Sequence, residues 1–561
     1  MNITIRKEIV QADVLIIGGG ISGMQAAIAA GEKGANVVVV EKADTRRSGS
    51  GATGNDHFMC YIPEYHGDDF DEILQEASET LVGPIQDMNV FALMMQRSFE
   101  LIQKWESYGI NMRPTGKWNF EGHAMPQRRR YHLKYDGRDQ KPLLTKKAKE
   151  VGAKIMNKTT ITELLVKDGR VVGAIGVSSK LDQPEAIVFQ AKSVIISTGL
   201  STRLYPGNNP AFVCNTSNCP ATAGGCAVAY RAGANLVNLD QPYVHAGPRM
   251  FARCGKATWI GVLTDYYGKP VGPFVTKPTR ELGDITADIW QSVFDEKMAD
   301  GSGPVFMNCS QTSEEDLQHM RESFIAEGDT SLNDYMDQYG IDLHKDMVEF
   351  GTYEYMLTGR GLDIDMQSAT TLPGLYASGD LTGNVRGDIT SAAVFGQIAG
   401  ENAADYAQDK AFVEVSDLPI IKEKFDWYNE IVSKKNGAHW MEVNSTLNQI
   451  MDKYVSVKNV RSETLLKSAM KYLSDLKRYA SEQLKAENSH ELVRSLEVMD
   501  LIDLGLATAY CSENRKESRG MAHRVDYPFT NPLMGNKFQT IHLDENGQPV
   551  MEFRNKVKKI N

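Results

Sequence analysis

The feature that most narrows what this chain can fold into is a glycine turn set between two buried strands near its start. Val14-Leu15-Ile16-Ile17 is a short apolar run, and Gly18-Gly19-Gly20-Ile21-Ser22-Gly23 follows it. Residues 24–32 are alanine-rich and predict a helix, and Val37-Val38-Val39-Val40 is a second apolar run that ends at Glu41. Short apolar runs on either side of a helical segment read as buried parallel strands, so residues 12–42 form a β-α-β pattern. Each glycine has a task in such a unit. Gly18 permits the tight turn, Gly20 lets a diphosphate approach the backbone, and Gly23 lets helix and strand pack closely. The exposed amides of the helix N-terminus favour an anion. Glu41 would accept hydrogen bonds from ribose hydroxyls, and Lys42 would flank the adenosine. A purely structural glycine turn is the competing reading, and the complete strand-turn-helix-strand context favours a dinucleotide.

The residues that follow choose between dinucleotides. Arg46-Arg47-Ser48-Gly49-Ser50-Gly51-Ala52-Thr53-Gly54-Asn55 is a glycine-rich loop with two arginines. Such a loop can run along a diphosphate and beneath an isoalloxazine ring, and nicotinamide dehydrogenases have no need of it. Two later strands, residues 192–198 and 375–378, end at Gly199 and Gly379-Asp380. In open α/β sheets ligands bind at the carboxyl ends of strands, so three distant segments offer one site. Asp380 is suited to a ribityl or phosphate hydroxyl. The expected cofactor is FAD.

Bulk properties set limits. A chain of 561 residues exceeds one ordinary domain and suggests two to four. Its net charge of −11 argues against nucleic acid or an anionic membrane as partner. No run of 18 apolar residues occurs, and residues 1–11 lack the apolar core of a secretory signal. A cytoplasmic protein without direct membrane insertion is expected. The seven cysteines do not form a disulfide framework. Cys214, Cys219 and Cys226 cluster, but their spacing matches no usual cluster ligand run, so buried thiols are the favoured reading over a metal site. Single electrons would then enter or leave through another protein or a soluble carrier.

Further along, residues 155–176 alternate around the turn Lys167-Asp168-Gly169-Arg170 and predict a small antiparallel ribbon. Residues 243–350 mix strands and helices as a separate lobe. The pattern is helical from about residue 418 to 513, with Leu447, Ile450, Met451 and Tyr454 on one face and Leu465, Met470 and Leu473 on another. Residues 538–543 and 550–553 close the chain as strands around Asp544-Glu545-Asn546-Gly547.

With these motifs in view, the chain resembles the flavoprotein subunits of the fumarate reductase / succinate dehydrogenase superfamily, which also holds L-aspartate oxidase and the adenylylsulfate reductase alpha subunit. The resemblance rests on DVLIIGGGISGMQAAIAA (13–30), RSGSGATG (47–54), GGCAVAYRAGANL (224–236), TTLPGLYASGDLTG (370–383), AAVFGQIAGENAADYA (392–407) and ESRGMAHRVDYP (517–528). It implies a diphosphate on Gly18, Gly20, Ser22 and Gly23 and a ribose on Glu41. Arg47, Ser48, Gly49, Gly54 and Asn55 would lie along the flavin, Ile161 by the adenine, and Thr198 and Gly199 on the phosphate side. Asp380 would hold the ribityl chain, and Ser391 and Ala392 the pyrimidine edge. Members with covalent FAD attach it through a histidine two residues after the matching arginine. Gly49 stands there, so non-covalent FAD is implied.

The catalytic positions depart from the family pattern. Fumarate-type enzymes use a shuttle arginine in the capping lobe, two substrate-binding histidines and a second arginine. The stretch ELGDITADIWQSVFDE (281–296) places Thr286 where the shuttle arginine belongs. His245 in QPYVHAGP matches one histidine, the other position falls near Tyr355, and Arg386 in GNVRGDITS is the candidate carboxylate-binding arginine. The same lobe looks closer to the adenylylsulfate reductase alpha subunit, although that family's tryptophan and active-site histidine have no match. His245, Arg249 and Arg253 stand at the entrance to the lobe and are candidates for binding an anion or passing a proton. Tyr355 would donate a proton in place of the missing histidine. Packed or solvated side chains are the competing reading for each, as for the run Arg128-Arg129-Arg130. Arg519 would support the flavin lobe or close the pocket.

The expected architecture is α/β: a Rossmann-type FAD-binding domain (1–245 and 351–414), an inserted α+β capping domain (246–350), a C-terminal helical domain (415–530) and a tail (531–561). The expected function is an FAD-dependent oxidoreductase, the flavoprotein subunit of a fumarate reductase/adenylylsulfate reductase-like enzyme. It would reduce a small anionic substrate with electrons from a ferredoxin-like iron–sulfur subunit, by hydride transfer at flavin N5 or by attack of N5 on the substrate. The alternatives are an electron-transfer module of a larger redox complex and an aspartate oxidase-like flavin oxidase.

Overall fold

The computed structural model describes all residues except 56, 79–85, 121–130, 202, 207–223, 242, 250–257, 274, 281–282, 285, 291, 327–329, 357–359, 386, 456–460 and 557–561. Its centre is an eight-stranded sheet. Six strands run in the order Lys154–Asn157, Val37–Glu41, Val10–Ile17, Glu185–Ile196, Arg170–Ser178, Thr159–Lys167, and Thr4–Ile5 and Leu375–Ala377 pair with the long strand Glu185–Ile196. The parallel register aligns Ile17 with both Val40 and Ile196, and Ile196 with Ala377. The carboxyl ends of four strands, drawn from residues 17 to 377, therefore share one edge of the sheet.

These strands approach that edge through apolar runs, 14–17, 37–40 and 194–196, because they are covered there on both sides, as parallel sheets are. The helix Ile21–Glu32 lies on the sheet with every residue from Ile21 to Ala30 buried. It begins directly after Gly20, three residues earlier than the alanine run suggests. A second helix, Ile389–Gln408, packs on it. Two glycines set that approach: a Cβ at Gly396 would lie 2.6 Å from the Ser22 carbonyl oxygen, and one at Gly400 2.4 Å from that of Ala26.

Three differences from the sequence expectations have simple causes. Lys154–Asn157 is a separate parallel strand, and the predicted hairpin is Thr159–Lys167 with Arg170–Ser178, its turn formed by Asp168 and Gly169 at φ 52° and 72°. That hairpin extends the main sheet, since Arg170–Ser178 pairs antiparallel with Glu185–Ile196. The strand expected at 192–198 runs from Glu185 to Ile196, because residues 186–189 are themselves a buried apolar run that extends it backwards. In the helix Glu463–Gln483 the buried face is Leu466, Ala469, Leu473, Leu476 and Ala480, which places Leu465 and Met470 at its flanks.

A second sheet, of Tyr243–Pro248, Val348–Met356, Val305–Asn308 and Val262–Thr264, carries its own core of residues between 246 and 350, built around Trp259, Phe324 and Phe350. The C-terminal helices do not have a core to themselves. Trp440–Ile450, Glu463–Gln483 and Ser489–Asn514 share one cluster with the nucleotide-binding sheet, and Pro419–Ser433 covers the outer face of the hairpin. The terminal strands Lys537–Leu543 and Pro549–Asn555 join Leu236–Val237 and Gly361–Leu362 in a third sheet. Among the described residues, no helix is long and apolar enough to cross a membrane.

Candidate functional site: a dinucleotide cradle at the strand ends

The turn after the first strand is built by close contact. A Cβ at Gly23 would fall 1.9 Å from the Gly18 carbonyl oxygen, and one at Gly18 2.5 Å from that of Ser197. No side chain fits at either place. Gly20 is the opposite case: a Cβ there would meet nothing within 4 Å, so its backbone faces open space. The first amides of the helix Ile21–Glu32 have no partners within the helix and point the same way.

The other strand ends close on this turn. Ser22 Oγ donates to Ser378 Oγ at 2.7 Å, and Ser197 and Ser378 hydroxyls lie 2.9 Å apart, so three serines join the helix start to two strand ends. A Cβ at Gly379 would sit 3.0 Å from Ser22 Cβ, which sets Asp380 beside the turn. Thr198 packs on Gly18 and, through its Oγ1, on Gly225. Gly49 (φ 84°) lies 3.3 Å from Gly20 Cα measured from its Cβ position, so the glycine-rich loop passes over the same opening. Gln140 secures that loop, with its Nε2 donating to Gly51 O at 2.9 Å and to Asn55 Oδ1 at 3.0 Å.

Electrostatics mark the cradle as a place for a polar ligand. Asp380 Oδ1 is buried without a hydrogen-bond partner among the described residues, and burial, with a smaller push from Asp388, raises its carboxyl to about 7. Ser48 Oγ is likewise buried and unsatisfied. Buried polar atoms are rarely left without partners, so these two await groups the protein does not supply. A hydroxyl donor for Asp380, a diphosphate for the Gly20 opening and an acceptor or donor for Ser48 are all present on FAD, and the cradle fits it.

The remaining predicted contacts are distributed less simply. Glu41 is buried, with one carboxylate oxygen accepting from Gly19 N at 2.7 Å and the other from Ala43 N at 2.6 Å. Lys42 points away to Glu497 on the helix Ser489–Asn514. Although burial works against it, Lys42, Arg203 and Arg494 hold that carboxyl down at about 2. The charge of Lys42 is thus committed to the helical layer. Arg47 is exposed at the edge of the loop. Ile161 is buried near the start of its strand, opposite Gly176. Ser391 forms a capping box with Asp388 at the start of the helix Ile389–Gln408, and Ala392 donates into the first turn. Sequence reasoning missed Gln140, Ser197 and Ser378, and it missed Lys141, which is wholly buried with its Nζ on the Gly19 carbonyl oxygen. Nothing in a lysine-rich helix distinguishes the one lysine that turns inward.

Of the catalytic candidates, His245, Arg249 and Tyr355 fall on described backbone. The strands that enter and leave the cap pair so that His245 lies opposite Glu354 and Tyr355 opposite Val244. Arg249 is half exposed and bound to Glu349 at 2.5 Å. Thr286 is 1% exposed, with its Oγ1 pressed against Gly272 inside the cap. Arg253, Arg386, Cys214, Cys219 and Arg128-Arg129-Arg130 lie outside the described residues. Cys226 is a buried thiol pushed up to about 12 by burial, and among the described residues no group of three metal-ligating side chains occurs. Arg519 binds Glu517 at 2.9 Å and the Asn531 carbonyl at 2.8 Å. Glu517 also binds Arg515, which pairs with Asp240, so the ESRG segment anchors the chain just before it enters the cap.

Comparison with known proteins accords with this geometry. A family model described as an FAD binding domain matches residues 13–391, and one described as the fumarate reductase flavoprotein C-term matches residues 444–557. The fumarate reductase (CoM/CoB) of Methanothermobacter marburgensis has one subunit that is 26% identical, over 94% of this chain and 96% of the relative. The fumarate reductase flavoprotein subunit of Haemophilus influenzae is 22% identical, over 97% and 94%. Among solved structures, adenylylsulfate reductase from Archaeoglobus fulgidus superposes with a TM-score of 0.84 at 21% identity, covering 99% of this chain and 97% of that one. E. coli quinol fumarate reductase superposes with 0.81 at 18% identity, covering 100% and 98%. The match over residues 13–391 and the cradle at the strand ends together place the chain in the FAD-binding flavoprotein family of fumarate reductases and their relatives, as an FAD-dependent oxidoreductase.

Proposed function

We propose that this chain is the flavoprotein subunit of a reductase that passes electrons from an iron–sulfur partner to a small anionic substrate held between flavin and cap. The observation that carries the reading is the seat of the cap on the flavin loop. A Cβ at Gly54 (φ 114°) would lie 2.6 Å from the carbonyl oxygen of Ala326 at the end of a cap helix. The cap therefore closes on the loop that passes over the cradle, and a closed cap excludes water during electron transfer to substrate. Held in the cradle, FAD would supply the redox chemistry, linking a one-electron carrier to a two-electron substrate. The chain's own part is to bind, orient and shield: the Gly20 opening takes the diphosphate, Asp380 a hydroxyl, and the cap covers the ring.

Fumarate itself is the weaker candidate. At the shuttle-arginine position the cap has a threonine sealed in its core, which can neither bind a carboxylate nor donate a proton there. We propose as substrate a related anion, such as another unsaturated carboxylate or a sulfur oxoanion. Gly49 has no side chain to link to a flavin, so we propose that FAD is held without a covalent bond; acid precipitation should release all of it. The deciding experiment is anaerobic reduction followed by rapid mixing with fumarate, other unsaturated carboxylates, adenylylsulfate and oxygen, while the oxidised flavin band is followed. Fast reoxidation by one anion supports the reading. Reoxidation only by dyes or a ferredoxin replaces it with an electron-transfer module, and by oxygen alone with an oxidase.

A further inference from the structure

Lys141 is 0% exposed, sits at the start of the helix Gln140–Glu150, and directs its Nζ at the carbonyl oxygen of Gly19. The Gly19 carbonyl and the Gly20 amide belong to one planar trans peptide, so they point in opposite directions. With the carbonyl held by Lys141, the Gly20 N–H points away from it, and the space beside Gly20 is open, since a Cβ there would meet nothing within 4 Å. The preceding peptide is fixed as well, because Gly19 N donates to Glu41 at 2.7 Å. Glycine would otherwise let this peptide turn over, and its carbonyl would then confront the diphosphate.

We propose that Lys141 is the positioning residue of the dinucleotide turn: its ammonium pins the Gly19 carbonyl inward, aims the Gly20 amide at the FAD diphosphate, and supplies a buried positive charge behind it.

The surroundings suit that role. Glu41 and Asp44 are the charged groups that act on Lys141. The helices Ile21–Glu32 and Ser50–Thr53, which pack on its own helix, carry no charged residue before Glu32, Asp139 caps that helix, and its neighbours one turn on, Leu144 and Thr145, are uncharged. Burial lowers the ammonium to about 8, against the pull of Glu41 and Asp44. A diphosphate bound nearby favours the charged form, so FAD binding above pH 8 takes up a proton and weakens as pH rises.

The test is equilibrium dialysis of the holoenzyme at pH 7, 8 and 9, with released FAD read by fluorescence. The wild-type dissociation constant should rise about tenfold from pH 7 to 9, as one proton linked to a group near 8 requires. Lys141→Met should bind FAD about tenfold more weakly at pH 7 and show no slope, and Lys141→Arg should bind tightly with no slope. A lysine that merely fills space would weaken FAD in Lys141→Met and leave the slope in place, which overturns the proposal. A flat wild-type profile overturns it too, whether or not the variants fold.

Discussion

The cradle and the cap are two halves of one active centre specified in different ways. In the cradle most of the contacts come from backbone and short side chains gathered at the strand ends, and contact with neighbouring backbone leaves no alternative at Gly18 and Gly23. In the cap, the resemblance keeps one histidine of the fumarate-type set at His245 but puts Thr286 and Tyr355 where an arginine and a second histidine would stand. A cofactor shared by many enzymes fixes one half; the substrate leaves the other free to change. The same fold therefore carries different chemistries with the same nucleotide.

The sharpest way to break this comparison is at Gly23. Gly23→Ala would drive a methyl into the Gly18 carbonyl, and FAD retention should fall by more than about 100-fold, read from the flavin-to-protein absorbance ratio after gel filtration. The cap should respond to an equivalent insult through stability instead. Thr286→Arg forces a charge into a packed core and should cost ~3 kcal/mol in urea denaturation without creating fumarate reduction.

A smaller effect sharpens the cradle's electrostatics. Asp380→Asn should weaken FAD about tenfold, the loss of one hydrogen bond to a charged group. The flavin-free protein should behave oppositely. Its Asp380 carboxyl is raised to about 7, whereas on unfolding it returns to ~3.9. The native state therefore holds the extra proton between those values, stability falls as pH rises through them, and the cost is complete above 7. Flavin-free Asp380→Asn should melt above the wild type at pH 7.5 and level with it at pH 4. The smallest effect belongs to Arg249→Ala. Its ion pair with Glu349 is half exposed, so stability should change by less than ~0.5 kcal/mol and flavin reoxidation by less than twofold. A large loss of turnover there would move the substrate site to the mouth of the cap.

The division also explains what the sequence revealed. The β-α-β unit, the glycine turn and the hairpin at Asp168-Gly169 were legible because their causes are local: apolar runs, close backbone approach and positive φ. The convergence of Gly18, Thr198 and Asp380 followed from the rule that ligands gather at strand ends. Lys42 shows the limit, since its partner Glu497 lies on a helix 455 residues further on and no local pattern ties them. Lys141 was invisible for the same reason, and Leu466 in place of Leu465 shows how one residue of helical phase escapes a sparse pattern.

The third sheet has a consequence for how the molecule is made. Leu236–Val237 finds its partners in Thr540 and Ile541, and Asn238 donates to Gln539, so one strand waits for another made about 300 residues later. The ribosome must release more than 500 residues before this layer can close. The nucleotide-binding sheet waits as well, since Leu375–Ala377 completes its edge of strand ends. Until then the apolar faces of these strands stay uncovered, and the flavin site lacks the strand end that carries Asp380.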